Sequence, residues 1–269
     1  MHLLFFIFAF ALITNDSVQV SRDYETYLRH GGEHLMLDRD SRRLFWFNAV
    51  HSNDPTNPMF AEIKSEFIKY APDFVLVEGA ANLNEFKNEA EAMLSGESCY
   101  VSHLCKVNRI TVEDIEPPDS VFYQKMLDDY SIEDILAFMI VRQLAQWQRE
   151  FDNREMNIPD MSVRYARHVI NSGLEWEGDP PDYEEIGRLL KTRIDGDIDY
   201  SNWHLINARD IVYQRDCLIH SAWKKAIEIR DNYVFERIAS ATEHHDRVFV
   251  MMGFDHARHL MPRLRELFK

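Results

Sequence analysis

Four short apolar runs, each stopping on a polar or acidic residue, limit what this chain can fold into. They are RRLFWFNAV (42–50), PDFVLVEG (72–79), NRITVEDIEPP (108–118) and the run opening DRVFVMMGFDHARHLMPRLREL near the end. Runs of this length, rich in aromatic and β-branched residues and bounded by Gly or Pro, predict buried strands. After the first of them, NPMFAEIKSEFIKYA (57–71) repeats apolar residues at helical spacing, with Pro58 suited to a first helical turn. Residues 83–95 predict another helix. Strand, helix and strand in alternation predict parallel crossovers and a covered sheet. The expected class is α/β, a mostly parallel central sheet covered by helices.

The middle of the chain reads differently. SIEDILAFMIVRQLAQWQREF (131–151) opens on Ser131 with Asp134 three residues on, close to a capping box. Further helices are expected over 160–172, 183–194, 203–230 and 233–244, and GLEWEGDPPDYEE (173–185) is the best loop candidate. We therefore expect one α/β domain over 18–269 with an all-helical insertion at about 120–240.

Forty-five acidic residues against 30 basic ones give a formal charge of −15. That argues against nucleic acid as a partner, since such binding needs a basic footprint. From Leu3 to Ile13 every residue is apolar. Eleven residues are too few for a membrane-spanning helix, which takes about 17–25, but they match the apolar core of a secretory signal. The expectation is a signal peptide over 1–17, a secreted or periplasmic protein, and no transmembrane span in the mature chain. Cys99, Cys105 and Cys217 are odd in number and form no CxxC pair. They read as small buried apolar residues, with a Cys99–Cys105 bridge as the alternative in an exported protein.

Chemistry gathers where the strands end, as ligands do outside the carboxyl ends of parallel strands. The first run leads to His51, the second to Glu78 and the third to Asp114 and Glu116. The last leads to Gly253, Asp255 and His256. Imidazole and carboxylate ligate zinc, manganese or iron, and they also serve as general acids and bases. Converging from four strands, they could hold one divalent ion with a position open for water. His259, one helical step past His256, is expected to support it or to cap the helix.

In order, NAVHSNDPTNP, PDFVLVEG, VEDIEPP, YQRDCLIHSAWKKAI and VMMGFDHARHLMPRL resemble the TraB/PrgY/GumN-type superfamily. Tiki metalloproteases, erythromycin esterase-like enzymes and ChaN-like proteins belong to the same clan. The resemblance covers most of 42–269 and is poorest over 150–200. It implies a hydrolase of amide or ester bonds acting on a small molecule or peptide. His51, Glu78, His256 and Arg215 would be catalytic, and His51, Glu78, Glu116 and His256 the metal ligands. Asp114 is the rival to Glu116, and Mn, Zn, Co or Fe is the expected ion. A metal-free scheme, with His51 as a general base held by Glu78, follows equally from it. The alternative is a ChaN-like haem- or iron-binding protein, its ligand lined by Trp147, Trp176, Trp203 and Tyr213. Asn48 stands where the superfamily has a glycine three residues before the first histidine, which points to a degenerate sensor or partner-binding member as a third reading.

Overall fold

The structure, a computed structural model, describes residues 34–79, 86–150, 157–194 and 199–269. The expected export segment lies outside them. The chain divides into two compact units: the described residues up to Glu116 together with Asp231–Lys269, and Pro117–Arg230.

The first unit is built on a five-stranded sheet in the order β1-β2-β5-β3-β4. The strands are β1 (Leu35–Arg39), β2 (Arg42–Ala49), β3 (Phe74–Val77), β4 (Thr111–Asp114) and β5 (Arg247–Gly253). β2, β5, β3 and β4 run parallel, and β1 pairs antiparallel along the β2 edge. Both faces of the sheet are covered, which is why the central strands are continuously apolar. Alternation sends Phe45, Phe47, Val75, Val77, Phe249 and Met251 to one face. There they pack on α1 (Pro58–Tyr70), α2 (Glu89–Leu94) and α3 (Glu97–Asn108). Leu44, Trp46, Leu76, Val248, Val250 and Met252 face the other way. They meet the second half of α9 (Leu218–His244) and α10 (Phe254–Leu267). Each fully buried Leu, Val or Phe in these layers contributes about 1.5–3 kcal/mol relative to exposure.

Two elements differ from the pattern in the sequence. β1 reads Leu-Met-Leu-Asp-Arg, an apolar stretch too short to single it out, with Leu35 and Leu37 half-buried against the core. The helix expected over 83–95 is described as α2 alone, followed by α3, a helix the apolar periodicity did not reveal. Gly96 separates the two at φ +104, a conformation that an L side chain rarely adopts. β4 is shorter than expected, because the Asp114 carboxylate accepts the Glu116 N–H at 2.8 Å and turns the chain.

The second unit holds α4 (Asp119–Met126), α5 (Ile132–Glu150), α6 (Ile158–Asn171), α7 (Tyr183–Lys191), a 3-10 turn (Tyr200–Leu205), α8 (Ala208–Tyr213) and the start of α9. Ser131 and Asp134 do cap α5 reciprocally, each side chain accepting the other's N–H at 3.2 Å. The helix expected over 203–230 is broken by Asn207, whose side chain caps α8. The one expected over 233–244 is the continuation of α9.

Candidate active site

Register brings the carboxyl ends of the four parallel strands level. Ala49 lies beside Gly253, and Val77 lies between Met251 and Asp114. The residues just past those ends therefore share one rim of the sheet.

His51 comes two residues after β2. Its Nδ1 is hydrogen-bonded to Glu97 Oε1, and Glu97 Oε2 accepts the Ser52 N–H at 3.3 Å. Glu97 is the first residue of α3, where the N–H-rich helix end favours a carboxylate. Its side chain is 5% exposed and that of His51 29%. Burial works against a charged imidazole here. The carboxylate of Glu97, then those of Glu78 and Glu116, overcome it and hold the His51 pKa up at about 9. The partner expected for His51 was Glu78; the structure gives that place to Glu97. The sequence signal for Glu97 was slight, an acidic residue after Ser95-Gly96.

Glu78 is buried. Its Oε2 accepts the Gly253 N–H at 2.9 Å, and its backbone carbonyl accepts the Ser98 hydroxyl at 2.5 Å. It thus ties the end of β3 to both the start of α10 and the start of α3. Gly253 has φ −59 and ψ 149, ordinary extended backbone, and an added Cβ would meet Glu78 Oε2 at 3.7 Å. This glycine is needed for neither strain nor space, and what it offers the site is its N–H. Asn48 is buried within β2, beside Met252. Asp114 is pushed up to about 6, chiefly by burial, with Glu116 and Glu78 adding repulsion. Asp114 and His51 therefore both feel the charges of Glu78 and Glu116.

His256, on the first turn of α10, is buried and engages a different carboxylate. Its Nδ1 lies 2.7 Å from Asp231 Oδ1, and His259 Nδ1 lies 3.3 Å from Asp231 Oδ2. Burial alone would raise the Asp231 pKa, but hydrogen bonds from both imidazoles outweigh it and hold it below the ordinary carboxylate range. Asp231 belongs to EIRDNY in α9, an Arg-Asp pair like the Arg215–Asp216 pair singled out earlier in the chain. Nothing in its local sequence distinguishes the pair that reaches a histidine.

Arg215 lies in the helical unit, in the turn between α8 and α9 rather than on a helix. Its Nη2 donates to Asp210 Oδ2 at 2.9 Å. Among the described residues no three His, Cys, Asp or Glu side chains are placed to hold a metal ion. Of the expected set, His51 and His256 are each bonded through Nδ1 to a carboxylate outside it, Glu97 and Asp231. Cys99, Cys105 and Cys217 are free thiols, so the alternative bridge is not formed. Among the described residues no helix is long and apolar enough to cross a membrane. No protein-family model, curated protein or solved structure matches the chain.

Proposed function

We propose that this chain is a hydrolase of amide or ester bonds, with His256 as the base that activates water and His51 as the acid that protonates the leaving group. The observation carrying this is the pair of imidazole–carboxylate contacts, His51–Glu97 and His256–Asp231, just past the ends of adjacent parallel strands. By donating its Nδ1–H to Asp231, His256 keeps Nε2 as the proton acceptor, the arrangement of an aspartate-oriented catalytic histidine. His51, held protonated at neutral pH by its carboxylates, supplies a positive charge where a carbonyl oxygen turns anionic and then a proton for departure. Glu78 fixes the start of α10 relative to β3 through the Gly253 N–H. The motif resemblance to the TraB/PrgY/GumN-type superfamily points to the same reaction class. In this reading residues 117–230 are an all-helical insertion into the chain of the sheet unit.

The test is hydrolysis of a panel of p-nitrophenyl esters and peptide p-nitroanilides. His256→Gln and His51→Gln should each lower kcat/KM by about 10²–10⁴-fold. A folded wild-type protein no faster than the double variant on every substrate would refute the proposal. Dialysis against chelator separates it from a metal scheme: a rate lost on dialysis and restored by Mn, Zn, Co or Fe would return the metal to the site.

A further inference from the structure

On the α10 face of the sheet, between β1, β2 and α10, lies a cleft of about 300 Å³, at the small end of the range for ligand pockets, about 300–1,000 Å³. Its walls are apolar: Leu35 from the edge strand, and Phe254, Met261 and Pro262 from α10. Two polar residues also line it, Asn48 and Arg258. Asn48 is buried in the sheet. Arg258 is 45% exposed, and Asp255 Oδ1 comes only to 3.9 Å of its Nη2, too long for a hydrogen bond. Pro262 sits inside α10 and lacks the N–H that would bond the Arg258 carbonyl four residues earlier. The cleft thus sets a guanidinium-bearing residue beside apolar walls. Phe254, which lines it, directly follows Gly253, whose N–H is held by Glu78.

We infer that this cleft binds an apolar amino-acid residue bearing a free carboxylate, so that the substrate is an N-acylated apolar amino acid or a peptide ending in one. The carboxylate pairs with the Arg258 guanidinium, and the side chain fills the space between Leu35 and Met261. A guanidinium is the group suited to two parallel bonds with a carboxylate. Among the residues lining this cleft it is the cation, whereas the carboxylates of Glu78, Glu97 and Glu116 around His51 would repel the same group. This inference rests on the hydrolase reading for its reaction but not for its binding.

Isothermal titration calorimetry on the full chain tests it with three probes: N-acetyl-leucine, N-acetyl-leucinamide without the carboxylate, and N-acetylglycine without the side chain. N-acetyl-leucine should bind at least about tenfold more tightly than either analogue. Arg258→Gln should erase the preference for acid over amide. Met261→Trp, at a half-buried position, should fill the cleft and abolish binding while the melting curve shows the protein folded. Equal affinities for acid and amide, an unchanged preference in Arg258→Gln, or no binding by the folded wild type would overturn the subsite. Binding without turnover would instead remove the hydrolase reading and leave the subsite. Turnover of simple esters with no such binding would do the reverse.

Discussion

The two histidines at the strand ends have the same kind of partner and opposite surroundings. His51 is 29% exposed, and it meets Glu97 with Glu78 and Glu116 close enough to add their charge. His256 is 4% exposed and meets the Asp231 carboxylate, which also meets His259. Excess negative charge makes the first imidazole hard to deprotonate. In the second, one carboxylate meets Nδ1 of two rings, a contact that favours the tautomer with the proton on Nδ1. In the reaction proposed above, one contact type serves as a proton reservoir in one place and as an orienting device in the other.

The largest effect that would break this comparison is at the orienting pair. Asp231→Asn can present its amide N–H to His256 Nδ1 and so favour the wrong tautomer. A loss of about 10²–10⁴-fold in kcat is expected, with 15N NMR of His256 showing the proton moved to Nε2. If kcat falls while the tautomer is unchanged, Asp231 does not act through His256. Glu97→Gln comes next. Wild-type kcat/KM should fall as pH rises through about 9, where His51 loses its proton. In the variant that limb should move toward neutrality and the rate at pH 7.5 drop by about tenfold or more. A limb that stays in place would assign it to another group.

Stability offers two smaller readouts. The His51 pKa is raised above its unfolded value, so its contribution is fully present below about 6.5 and is lost as pH rises through about 9. Urea unfolding of wild type against His51→Gln should show a gap of about 1–2 kcal/mol at pH 6 that closes by pH 10. Asp114 has the other sign of consequence. Its folded pKa of about 6 exceeds the unfolded 3.8, so the folded state binds the proton more tightly and loses stability as pH rises from about 4 to 6. Asp114→Asn, which retains the acceptor for the Glu116 N–H, should be more stable than wild type by about 1 kcal/mol at pH 7 and equal to it at pH 3.5. Smallest of all is Arg215→Ala. Its guanidinium is 39% exposed and paired with Asp210, so kcat/KM should change by less than about threefold. A larger loss would bring Arg215 back as a catalytic group.

The four parallel strands, the turn onto α1 after Asn57, the capping of α5 and the residues at the strand mouths were all legible in the chain. Each rests on a local rule: apolar run length, a proline at a helix start, a Ser–Asp spacing, or a polar residue closing an apolar stretch. β1, α3 and the breaks before α8 and α9 were not legible. β1 carries an edge strand's mixed polarity, and in α3 the apolar period is interrupted by Ser102, His103 and Lys106.

By itself, then, the sequence determined that His51, Glu78, Asp114, Glu116 and His256 would stand at strand ends, since strand length and polarity are properties of neighbouring residues. Only the tertiary structure decided their partners. Glu97 lies 46 residues from His51 and Asp231 lies 25 from His256. An acidic residue in a first helical turn, or in the middle of a long helix, looks like any solvated charge until packing carries it to a rim. The same packing decided that the imidazoles turn toward carboxylates of their own. A hydrogen bond is settled by distances of a few tenths of an ångström, and no spacing along the chain encodes distances that fine.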